Sequence, residues 1–559
     1  MSLPRAYLQE FYAALTPGET KQAIATLKTR LAEKHGLSRV PTDHELLLAA
    51  PEELRLGLMS KPVRTQSGVA VVAVMTAPRA CSHGTCIMCP GGPGSVFGDV
   101  PQSYTGREPA SMRAGRNAYD AYLQVFNRLE QYLVLGHEPG KVELIVMGGT
   151  FPSYPFEYQD SFVADALAAM NDFSALFFPD GALDRGGYRE FFELPAEVRD
   201  AERARRIRER CLLLKAGPCV LAAEQMRNES ARIRCVALCI ETKPDWSLSP
   251  HVDRMLSQGT TRVELGVQSL KDEVLSGINR GHTLAESVEA TRVLKDAFLK
   301  VGHHIMPGLP GSSSEEDIAM FRELFENPEY RPDSLKIYPC LVMPGTPLEH
   351  LYRRDEYTPL STDEAARIVA EGKRFVPEYC RIMRVQRDIP STRVLAGPKF
   401  TNLRQKVTSI MDREGRTCRC LRCREPRSRQ PASEVLKTVR YAASGGEELF
   451  ISIEDPELDA VLGYCRLRRP GSLSRPEIGA RTAGIRELHV FGTATALGEQ
   501  GGVQHRGHGK RLLQEAERLA TEELGADELL VISGIGVREY YLRTGYRRKG
   551  PYMAKALNV

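Results

Sequence analysis

The stretch "VAVVAVMTAPRACSHGTCIMCPGG", residues 69–92, joins a short β-branched run to three closely spaced cysteines. The first seven residues predict a strand, and Cys81, Cys86 and Cys89 follow it directly. Four cysteines would complete a structural zinc site or an ordinary iron–sulfur cluster. Three can hold a [4Fe–4S] cluster that leaves one iron open to a small molecule. On spacing alone, the alternative is a zinc site that His83 or a distant residue completes.

Strands and helices alternate after this opening, which predicts a barrel of βα units. Further β-branched runs begin near residues 142, 235, 262, 300 and 334. Such alternation is typical of a parallel sheet that closes wholly or partly into a barrel, with its chemistry at the C-terminal ends of the strands. We therefore predict an α/β fold with a partial TIM-type (β/α) barrel over residues 61–400, interrupted by a charged helical insertion at about 174–217.

The second strand of this barrel ends in glycines. The sequence "VELIVMGGTF" places Gly148, Gly149 and Thr150 at the strand end, where glycine lets the backbone approach a ligand closely. Together with the three-cysteine loop, this pattern resembles the radical S-adenosylmethionine (SAM) enzymes. The resemblance implies that the three cysteines hold a [4Fe–4S] cluster and that the Gly-Gly-Thr segment contacts SAM.

The N-terminal part and the composition limit the class of protein. Residues 1–60 show helical periodicity with a break at Pro17, which predicts a small helical domain. The chain has no run of about 18 apolar residues and no apolar leader, so we expect a cytoplasmic protein without a membrane span. Thirteen cysteines in a reducing compartment favour metal ligands over disulfides.

A second cysteine group lies in a strongly basic segment. Cys418, Cys420 and Cys423 form a CxCxxC pattern in a predicted linker, residues 401–430, and we expect zinc there, with Cys380 or a histidine as the fourth ligand. Between residues 380 and 430, 14 Lys and Arg face four acids, a net charge of +10 in a chain of net +4. Such a band suits a polyanion, although a solvated basic linker has the same composition.

The last region, residues 431–559, carries a separate candidate site. A glycine-containing loop opens a long amphipathic helix, and N–H groups at a helix N-terminus bind pyrophosphate well. Its QxxGxG pattern resembles the coenzyme A arm of the GNAT acetyltransferases, so we predict a GNAT α/β domain. The residues of this arm are Gln504, His505, Arg506, Gly507, His508, Gly509 and Lys510.

The GNAT resemblance also points to residues near the acyl group. It implies that Tyr540 or Tyr541 protonates the departing thiolate, because a thiolate in a dry cleft is costly. Glu487 occupies a strand where some GNAT enzymes hold a base, but core packing or a salt bridge is the expected role.

A radical SAM barrel, a CxCxxC linker and a GNAT domain on one chain resemble the family of Elongator catalytic subunits. The stretches that carry this resemblance include "CIMCPGG", "VMGGTFPSYP", "NRGHT", "LKIYP", "CRCLRCRE", "QHRGHGKRLL" and "SGIGVREYY". The family pattern differs at Met88, where an aromatic residue is common, and at Lys243, where arginine is usual.

The Elongator resemblance implies a reaction on the wobble uridine of transfer RNA, held by its anticodon stem-loop. A deoxyadenosyl radical would abstract hydrogen from the methyl group of acetyl-coenzyme A, and the carbon radical would add to C5 of uracil. Water would then cleave the thioester and release 5-carboxymethyluridine from coenzyme A. Basic surfaces and the N-terminal domain would bind the tRNA. Lys336, from "LKIYP", would bring positive charge to the substrate, or would be a surface lysine at a strand end. An electron donor is required, and a homodimer or Elongator-like partner subunits are compatible.

Two other classes of function remain open on the sequence. The GNAT domain could acetylate protein lysines while the cluster only holds the fold together. The chain could also be a tRNA-binding module without catalysis.

Overall fold

The computed structural model describes residues 3–16, 18–47, 50–59, 68–195, 200–215, 217–400, 402–427, 429, 431–491 and 507–557. Within these ranges, no helix is both long enough and apolar enough to cross a membrane.

The N-terminal part is helical, as the sequence predicts. Its four helices pack around a small apolar core that includes Tyr7, Phe11 and Leu31. The Thr20 side chain accepts a hydrogen bond from Ala23 N at 3.2 Å and so begins the second helix. The helices are α1 (Arg5–Ala14), α2 (Lys21–Lys34), α3 (Asp43–Leu47) and α4 (Glu52–Leu58).

Seven parallel strands form the central sheet, which confirms the predicted partial barrel. They lie in the order β1-β4-β5-β6-β7-β8-β9, with a small β2–β3 hairpin after the cysteine loop. The strands are β1 (Val69–Met75), β2 (Gly92–Ser95), β3 (Gly98–Val100), β4 (Lys141–Met147), β5 (Arg234–Thr242), β6 (Arg262–Gln268), β7 (Lys300–Ile305), β8 (Ser334–Ile337) and β9 (Arg381–Arg384).

Helices cover the outer face of this sheet. Capping boxes at Thr283, Ser313 and Ser361 begin three of them, because each cap side chain and a Glu three residues later satisfy free N–H groups. The helices are α5 (Pro109–Arg116), α6 (Ala121–Val134), α7 (Phe156–Phe177), α8 (Arg185–Phe191), α9 (Ala201–Leu214), α10 (Leu221–Ser230), α11 (Ser249–Ser257), α12 (Asp272–Gly277), α13 (Leu284–Asp296), α14 (Ser314–Glu326), α15 (Pro347–Arg353), α16 (Thr362–Gly372) and α17 (Leu403–Arg413).

The predicted insertion is helical and packs on the barrel helices. Helix α7 continues past residue 174, the approximate start of the predicted insertion, and ends at Phe177. Within the insertion, Arg203 of α9 pairs with Glu130 of α6 at 2.9 Å. The other arginines of α9 that form ion pairs do so mainly with acids of the insertion itself, such as Glu193.

The C-terminal part forms a second seven-stranded sheet, in the order β10-β11-β12-β13-β14-β16-β15. The strands are β10 (Val435–Ala443), β11 (Gly446–Asp455), β12 (Ala460–Arg469), β13 (Thr482–Val490), β14 (Glu528–Val531), β15 (Arg547–Lys549) and β16 (Tyr552–Ala556), and the helices are α18 (His508–Glu522) and α19 (Arg538–Arg543).

The two central strands of this second sheet separate along their length. Strand β13 pairs in parallel with β14 only from Thr482 to Ile485. The pairing of β12 with β13 shifts register next to Arg466, which leaves Arg486 as an extra residue in β13. Beyond this bulge, β13 continues to Val490 while β14 ends at Val531. The result is a cleft between the two strands.

Buried charges join the second sheet to the barrel. Asp333 binds Arg486 at 2.5 Å, and Asp296 binds Arg468 at 2.5 Å, with all four side chains 0% exposed. Glu448 also pairs with Arg486 at 3.0 Å. Since Asp333 directly precedes β8 and Asp296 ends α13, one face of the second sheet covers the N-terminal ends of the barrel strands. Breaking one such pair would leave a charge buried without its partner.

Candidate functional site

The three predicted cluster cysteines lie together in the loop after β1. Cys89 N donates to Cys86 O at 2.9 Å, which makes the second half of the loop a tight turn, and Cys86 is 4% exposed. Among the described residues, the sulfur atoms of Cys81, Cys86 and Cys89 do not all lie within 4.8 Å of one another. They are therefore too far apart for all three to bind one metal ion. Wider spacing suits a cluster that binds each thiolate through a different iron.

The segment between β6 and α13 holds this loop in place. Ile87 N donates to Ile278 O at 3.0 Å, and Asn279 Nδ2 donates to Thr85 O at 2.9 Å. Gly281 lies so close to the loop that a Cβ there would be 2.5 Å from His83. The cysteine loop is therefore supported by a specific backbone cradle at the C-terminal end of the barrel.

Cations surround the cysteines. Arg280 Nη1 lies 3.7 Å from Cys86 Sγ, and Lys243, only 3% exposed, also acts electrostatically on Cys86. Burial, together with the neighbouring Cys86, raises the pKa of Cys89 to about 11. Metal binding must therefore displace protons from these thiols, and nearby positive charge favours the thiolate form. The donor set and its surroundings fit an anionic three-thiolate [4Fe–4S] cluster.

The glycine pair of β4 lies beside this loop. Gly148 and Gly149 have φ angles of 108° and 71°, in the region that favours glycine. A Cβ on Gly148 would lie 2.6 Å from Thr76 Oγ1, which already donates to Gly148 O at 2.8 Å. Burial raises the pKa of Cys81, and a side-chain hydrogen bond with Thr150, which is 5% exposed, partly opposes that shift. The structure thus brings the predicted SAM-contacting residues next to the predicted cluster ligands.

Three further polar residues line this region, and no sequence pattern predicted a role for them. Gln268 has a φ of 71°, an uncommon value for a non-glycine residue, and its Oε1 has no hydrogen bond within the described chain. His282 is 6% exposed, and neither ring nitrogen has a partner by hydrogen-bond geometry. Arg280 donates to Gly266 O at 2.6 Å. The only signal was their presence in "RVELGVQS" and "NRGHT".

Lys336 is an interior residue, so the alternative of a surface lysine is wrong. It is 7% exposed, because alternate residues of β8 point into the barrel. Its Nζ lies 2.5 Å from Glu241 and also contacts Glu264. Burial alone would lower the pKa of Lys336, but Glu241 and Glu264 raise it well above its usual value. The lysine is therefore a permanent cation.

Glu264 receives further support from His304, whose Nε2 lies 2.9 Å from its carboxylate. Burial would raise the pKa of Glu264, but Lys336 and Arg262 bring it well below its usual value. The ligand atoms of Glu241, Glu264 and His304 lie within 4.8 Å of one another, close enough to hold a metal ion. The ammonium group of Lys336 supplies positive charge to the two carboxylates of this set.

The predicted coenzyme A arm is described in part. Gln504, His505 and Arg506 lie outside the described residues. Gly507, with a φ of 80°, is the N-cap of α18, and Lys510 lies in its first turn. His508 is 2% exposed, and its Nε2 lies 2.9 Å from Glu434 Oε1.

The two candidate tyrosines differ in placement. A Cβ on Gly509 would lie 3.7 Å from Tyr540 Oη, so this hydroxyl faces the N-terminus of α18. Tyr540 is 38% exposed, whereas Tyr541 is 5% exposed and belongs to the core of the second sheet. Of the two, Tyr540 has the access that a proton donor to a bound thiolate needs.

Glu487 is in ion pairs, the role that the sequence analysis favoured. It contacts Lys300 of the barrel, and its carboxylate lies 2.9 Å from Arg466 Nε and 2.8 Å from Tyr464 Oη. Burial would raise the pKa of Glu487, but Lys300 and Arg466 hold it well below its usual value. A carboxylate held in this way is a weak base.

The second cysteine group comes together as the sequence suggested. The sulfur atoms of Cys418, Cys420 and Cys423 lie within 4.8 Å of one another, which fits a zinc ion. The backbone carbonyl of Cys380 accepts from Leu421 N at 2.9 Å, but its thiol is not part of this sulfur group among the described residues. Neither expected type of fourth ligand, Cys380 or a histidine, completes the group in the described part of the chain.

The basic band around these cysteines is more neutralised than its composition implied. Arg424 pairs with Glu454 at 2.6 Å, for example, and is 3% exposed. Five other cations of this band are exposed and form no ion pair within the described chain: Arg393, Lys399, Arg413, Arg427 and Arg429, the last of which donates to backbone carbonyls.

Family models match three parts of the chain. Residues 75–324 match the Radical SAM superfamily, residues 332–413 match the Radical_SAM C-terminal domain, and residues 9–66 match the ELP3 N-terminal domain. The first of these families implies a [4Fe–4S] cluster and SAM.

Curated proteins match over nearly the whole length. The tRNA uridine(34) acetyltransferase of Methanocaldococcus infernus is 46% identical over 92% of this chain and 92% of its own. Elongator complex protein 3 of Danio rerio is 40% identical over 95% of this chain and 92% of its own. A solved structure of Methanocaldococcus infernus Elp3 with an N-terminal deletion matches with a TM-score of 0.71 and 40% identity, over 88% of this chain and all of that one.

Proposed function

Since the chain belongs to the Elongator complex protein 3 family, we propose that it modifies the wobble uridine of tRNA, using acetyl-coenzyme A and SAM to form 5-carboxymethyluridine. The observation that carries the proposal is the pairing of two sites in two parts of the chain that buried ion pairs join. A cation-surrounded three-cysteine loop lies beside a glycine-ended strand, and buried ion pairs join its barrel to a sheet with a cleft suited to an acyl-coenzyme A.

The barrel residues have distinct parts in this reaction. Cys81, Cys86 and Cys89 would hold the cluster, and Gly148 and Gly149 would leave room for SAM. When bound, the cluster and SAM supply a 5′-deoxyadenosyl radical. The buried cations Arg280 and Lys243 balance negative charge beside the thiolates. Lys336, with its ammonium held by two carboxylates, provides a fixed positive charge in the barrel interior, where it can orient a uracil carbonyl.

The second sheet would bind acetyl-coenzyme A as GNAT enzymes do. The free N–H groups at the start of α18, from Gly507 to Lys510, suit a pyrophosphate. The register shift in β13 and its separation from β14 support an acyl arm between the strands. Tyr540 would donate a proton to the coenzyme A sulfur, because its hydroxyl faces this helix end and remains accessible.

Binding of tRNA would use the exposed cations. The side chains of Arg393, Lys399, Arg413 and Arg427 have no ionic partner in the described chain and can contact phosphates. A zinc ion at Cys418, Cys420 and Cys423 would fix the segment that carries two of them. The same proposal includes recognition of the anticodon stem-loop and a cytoplasmic location. It also includes an electron donor and any partner subunits.

The packing of the second sheet weighs against a protein lysine acetyltransferase. The barrel covers the sheet face that carries Arg466, Arg486 and Glu487, so a lysine on another protein has no open approach from that side. Glu487 is also paired with cations and is poorly suited to deprotonate an amine.

The test is an anaerobic reaction of reconstituted protein with reductant, SAM, acetyl-coenzyme A and a tRNA with uridine at the wobble position. We expect 5-carboxymethyluridine by nucleoside mass spectrometry together with 5′-deoxyadenosine. Cys86→Ala should abolish both products, whereas Cys211→Ala, a matched change at a buried cysteine of α9, should abolish neither. Cluster-loaded wild-type protein that binds tRNA but makes neither product would contradict the proposal.

A further inference from the structure

The interior of the half-barrel is charged, unlike the interior of most (β/α) barrels. Such interiors are normally filled by branched apolar side chains. Here Arg262 forms ion pairs with Glu143 at 2.7 Å and Glu264 at 3.0 Å, and Glu264 also contacts Lys336. The Arg262–Glu264 contact joins Nη2 to Oε1, so these two buried atoms interact with each other as an ion pair.

The interior also remains accessible to water along β4. The residues of β4 that face the helices, Val142, Leu144 and Val146, are 0% exposed. The alternate residues that face the interior, including Ile145 and Met147, are all partly exposed. In a packed barrel both sets would be buried, so an open groove follows the inner face of β4 up to Gly148.

Strand β1, which pairs with β4 along its whole length, shows the same alternation. Ala70, Val72 and Val74 are at most 1% exposed, whereas the interior-facing Val71 is 39% exposed and Ala73 is partly exposed. The groove therefore has an apolar wall on β1 and the second half of β4, and a charged wall that runs from Glu143 of β4 to β6, β7 and β8.

The lower end of this groove meets the cleft of the second sheet. Glu487, beyond the point where β13 leaves β14, contacts Lys300 at the start of β7. On the other side of the cleft, Gly534 packs so closely on Val236, near the start of β5, that a Cβ would lie 2.0 Å from Val236 O. The cleft therefore opens beneath the barrel between β5 and β7.

A chain of polar contacts leads from the cleft to the upper end. Lys300 lies opposite Arg262 in the pairing of β6 with β7. Arg262 forms an ion pair with Glu264, and Glu264 forms one with Lys336. Glu487, Lys300, Lys336 and Glu241 all keep between 9% and 16% of their side chains exposed. Four residue steps along β7 lead from Lys300 to His304, a distance of about 13 Å at the usual rise of a strand.

We propose that this groove is the internal passage through which the acetyl end of acetyl-coenzyme A, with its thioester bond intact, reaches from the cleft of the second sheet to the radical site. The apolar wall can contact the methyl group, and the charged wall can hydrogen-bond the carbonyl oxygen. The passage rests on the proposed function, because it gives a route between the two sites that function requires. If the passage exists, filling the groove should leave acetyl-coenzyme A binding and SAM cleavage intact but prevent the two sites from forming 5-carboxymethyluridine together.

The experiment fills the groove from its accessible wall. Ala73→Leu, Ala73→Phe and Ile145→Trp place larger side chains where the native ones are partly exposed. Acetyl-coenzyme A affinity and SAM cleavage without acetyl-coenzyme A should stay within about twofold of wild type. The yield of 5-carboxymethyluridine per 5′-deoxyadenosine should fall at least tenfold, and more for Phe than for Leu at position 73. Leu473→Trp, at a residue 57% exposed in the second sheet's loop, is the control and should leave the yield unchanged.

A second measurement does not depend on these variants folding with large side chains. Cysteines introduced as Ile145→Cys and Leu144→Cys are treated with methyl methanethiosulfonate and mapped by mass spectrometry. We expect rapid modification at position 145 and none at position 144, with slower modification at 145 when acetyl-coenzyme A is present. An unreactive Ile145→Cys variant, or unchanged yields in cluster-loaded groove-filling variants, would overturn the passage. Absence of 5-carboxymethyluridine from wild-type protein would instead contradict the proposed function, and the labelling result would still report on the groove.

Discussion

Asp333 is the acid on which the cations between the barrel and the second sheet converge. Its carboxylate binds Arg486 at 2.5 and 2.9 Å, lies 3.5 Å from Arg466 and accepts a hydrogen bond from Val301 N at 2.8 Å. Burial would raise the pKa of Asp333, but Arg486 and Lys295 hold it well below its usual value. We expect Asp333→Asn to destabilise the folded chain strongly, since it removes the charge and keeps the size.

The magnitude follows from what the substitution leaves behind. Asp333, Arg486 and Arg466 are all 0% exposed, so water cannot replace the lost carboxylate. Removing one partner of a buried ion pair costs about 3–5 kcal/mol. Asparagine can still accept from Val301 N, so Asp333→Ala should cost a further ~1–3 kcal/mol for the unsatisfied backbone donor. Asp253→Asn is the control, because Asp253 pairs with Arg475 but is 64% exposed, and should cost at most ~1 kcal/mol.

Guanidinium unfolding followed by the fluorescence of Trp246, the only tryptophan, measures these effects. Trp246 lies just after β5 and so reports on the barrel. Because a chain of this size need not unfold in two states, the midpoints of the same transition are compared. Arg486→Met in the Asp333→Asn background should cost less than the sum of the two single changes. An Asp333→Asn midpoint equal to that of Asp253→Asn would refute the reasoning.

Four further predictions concern single residues. Gly148→Ala should weaken SAM binding at least tenfold by calorimetry, because a Cβ would meet Thr76 and the φ of 108° disfavours alanine; Gly277→Ala, with open space around it, should not. Burial raises the pKa of Asp317 to about 6, above the unfolded value of ~3.9. The protonated carboxyl group of Asp317 therefore contributes stability that is fully present below pH 4 and is lost as pH rises through 6. Asp317→Asn should therefore match wild type in urea unfolding near pH 4 and exceed it by up to ~3 kcal/mol at pH 7; an equal difference at both pH values would contradict this. Metal analysis should find about one zinc per chain, lost in Cys420→Ser, and zinc retained by that variant would count against the site. Lys336→Met should create a Mn²⁺ site at Glu241, Glu264 and His304, because the substitution removes the ammonium group that neutralises the two carboxylates. Calorimetry measures Mn²⁺ binding, and absence of binding would show that the ammonium group is not what prevents a metal from binding.

The local patterns in the sequence were sufficient for the fold class and for the grouping of the predicted cluster and SAM-contacting residues. A β-branched run followed by three cysteines, and a strand that ends in two glycines, depend on neighbours in the chain, so their spacing predicts their placement. The structure brings both segments to the same end of the barrel, and Thr150 hydrogen-bonds Cys81. The ligand roles of these residues stay predictions.

The sequence could not decide between alternative roles for residues whose surroundings come from distant segments of the chain. Lys336 could have been a surface residue, but Glu241 and Glu264 from two other strands enclose it. Adjacent tyrosines looked equivalent, yet only Tyr540 faces the start of α18. Cys380 was a reasonable fourth zinc ligand by distance in sequence, but its thiol lies outside the sulfur group.

The sequence by itself determined which strands and helices form and which loops carry thiols and glycines, because these depend on side-chain periodicity and local backbone freedom. Only the tertiary structure decided that the second sheet covers the N-terminal ends of the barrel strands and that charges line the barrel interior. Both features arise from contacts between residues far apart in the chain, such as Lys300 with Glu487 and Asp333 with Arg486. Opposite charges of this kind are so common in a sequence that no local pattern identifies which of them meet.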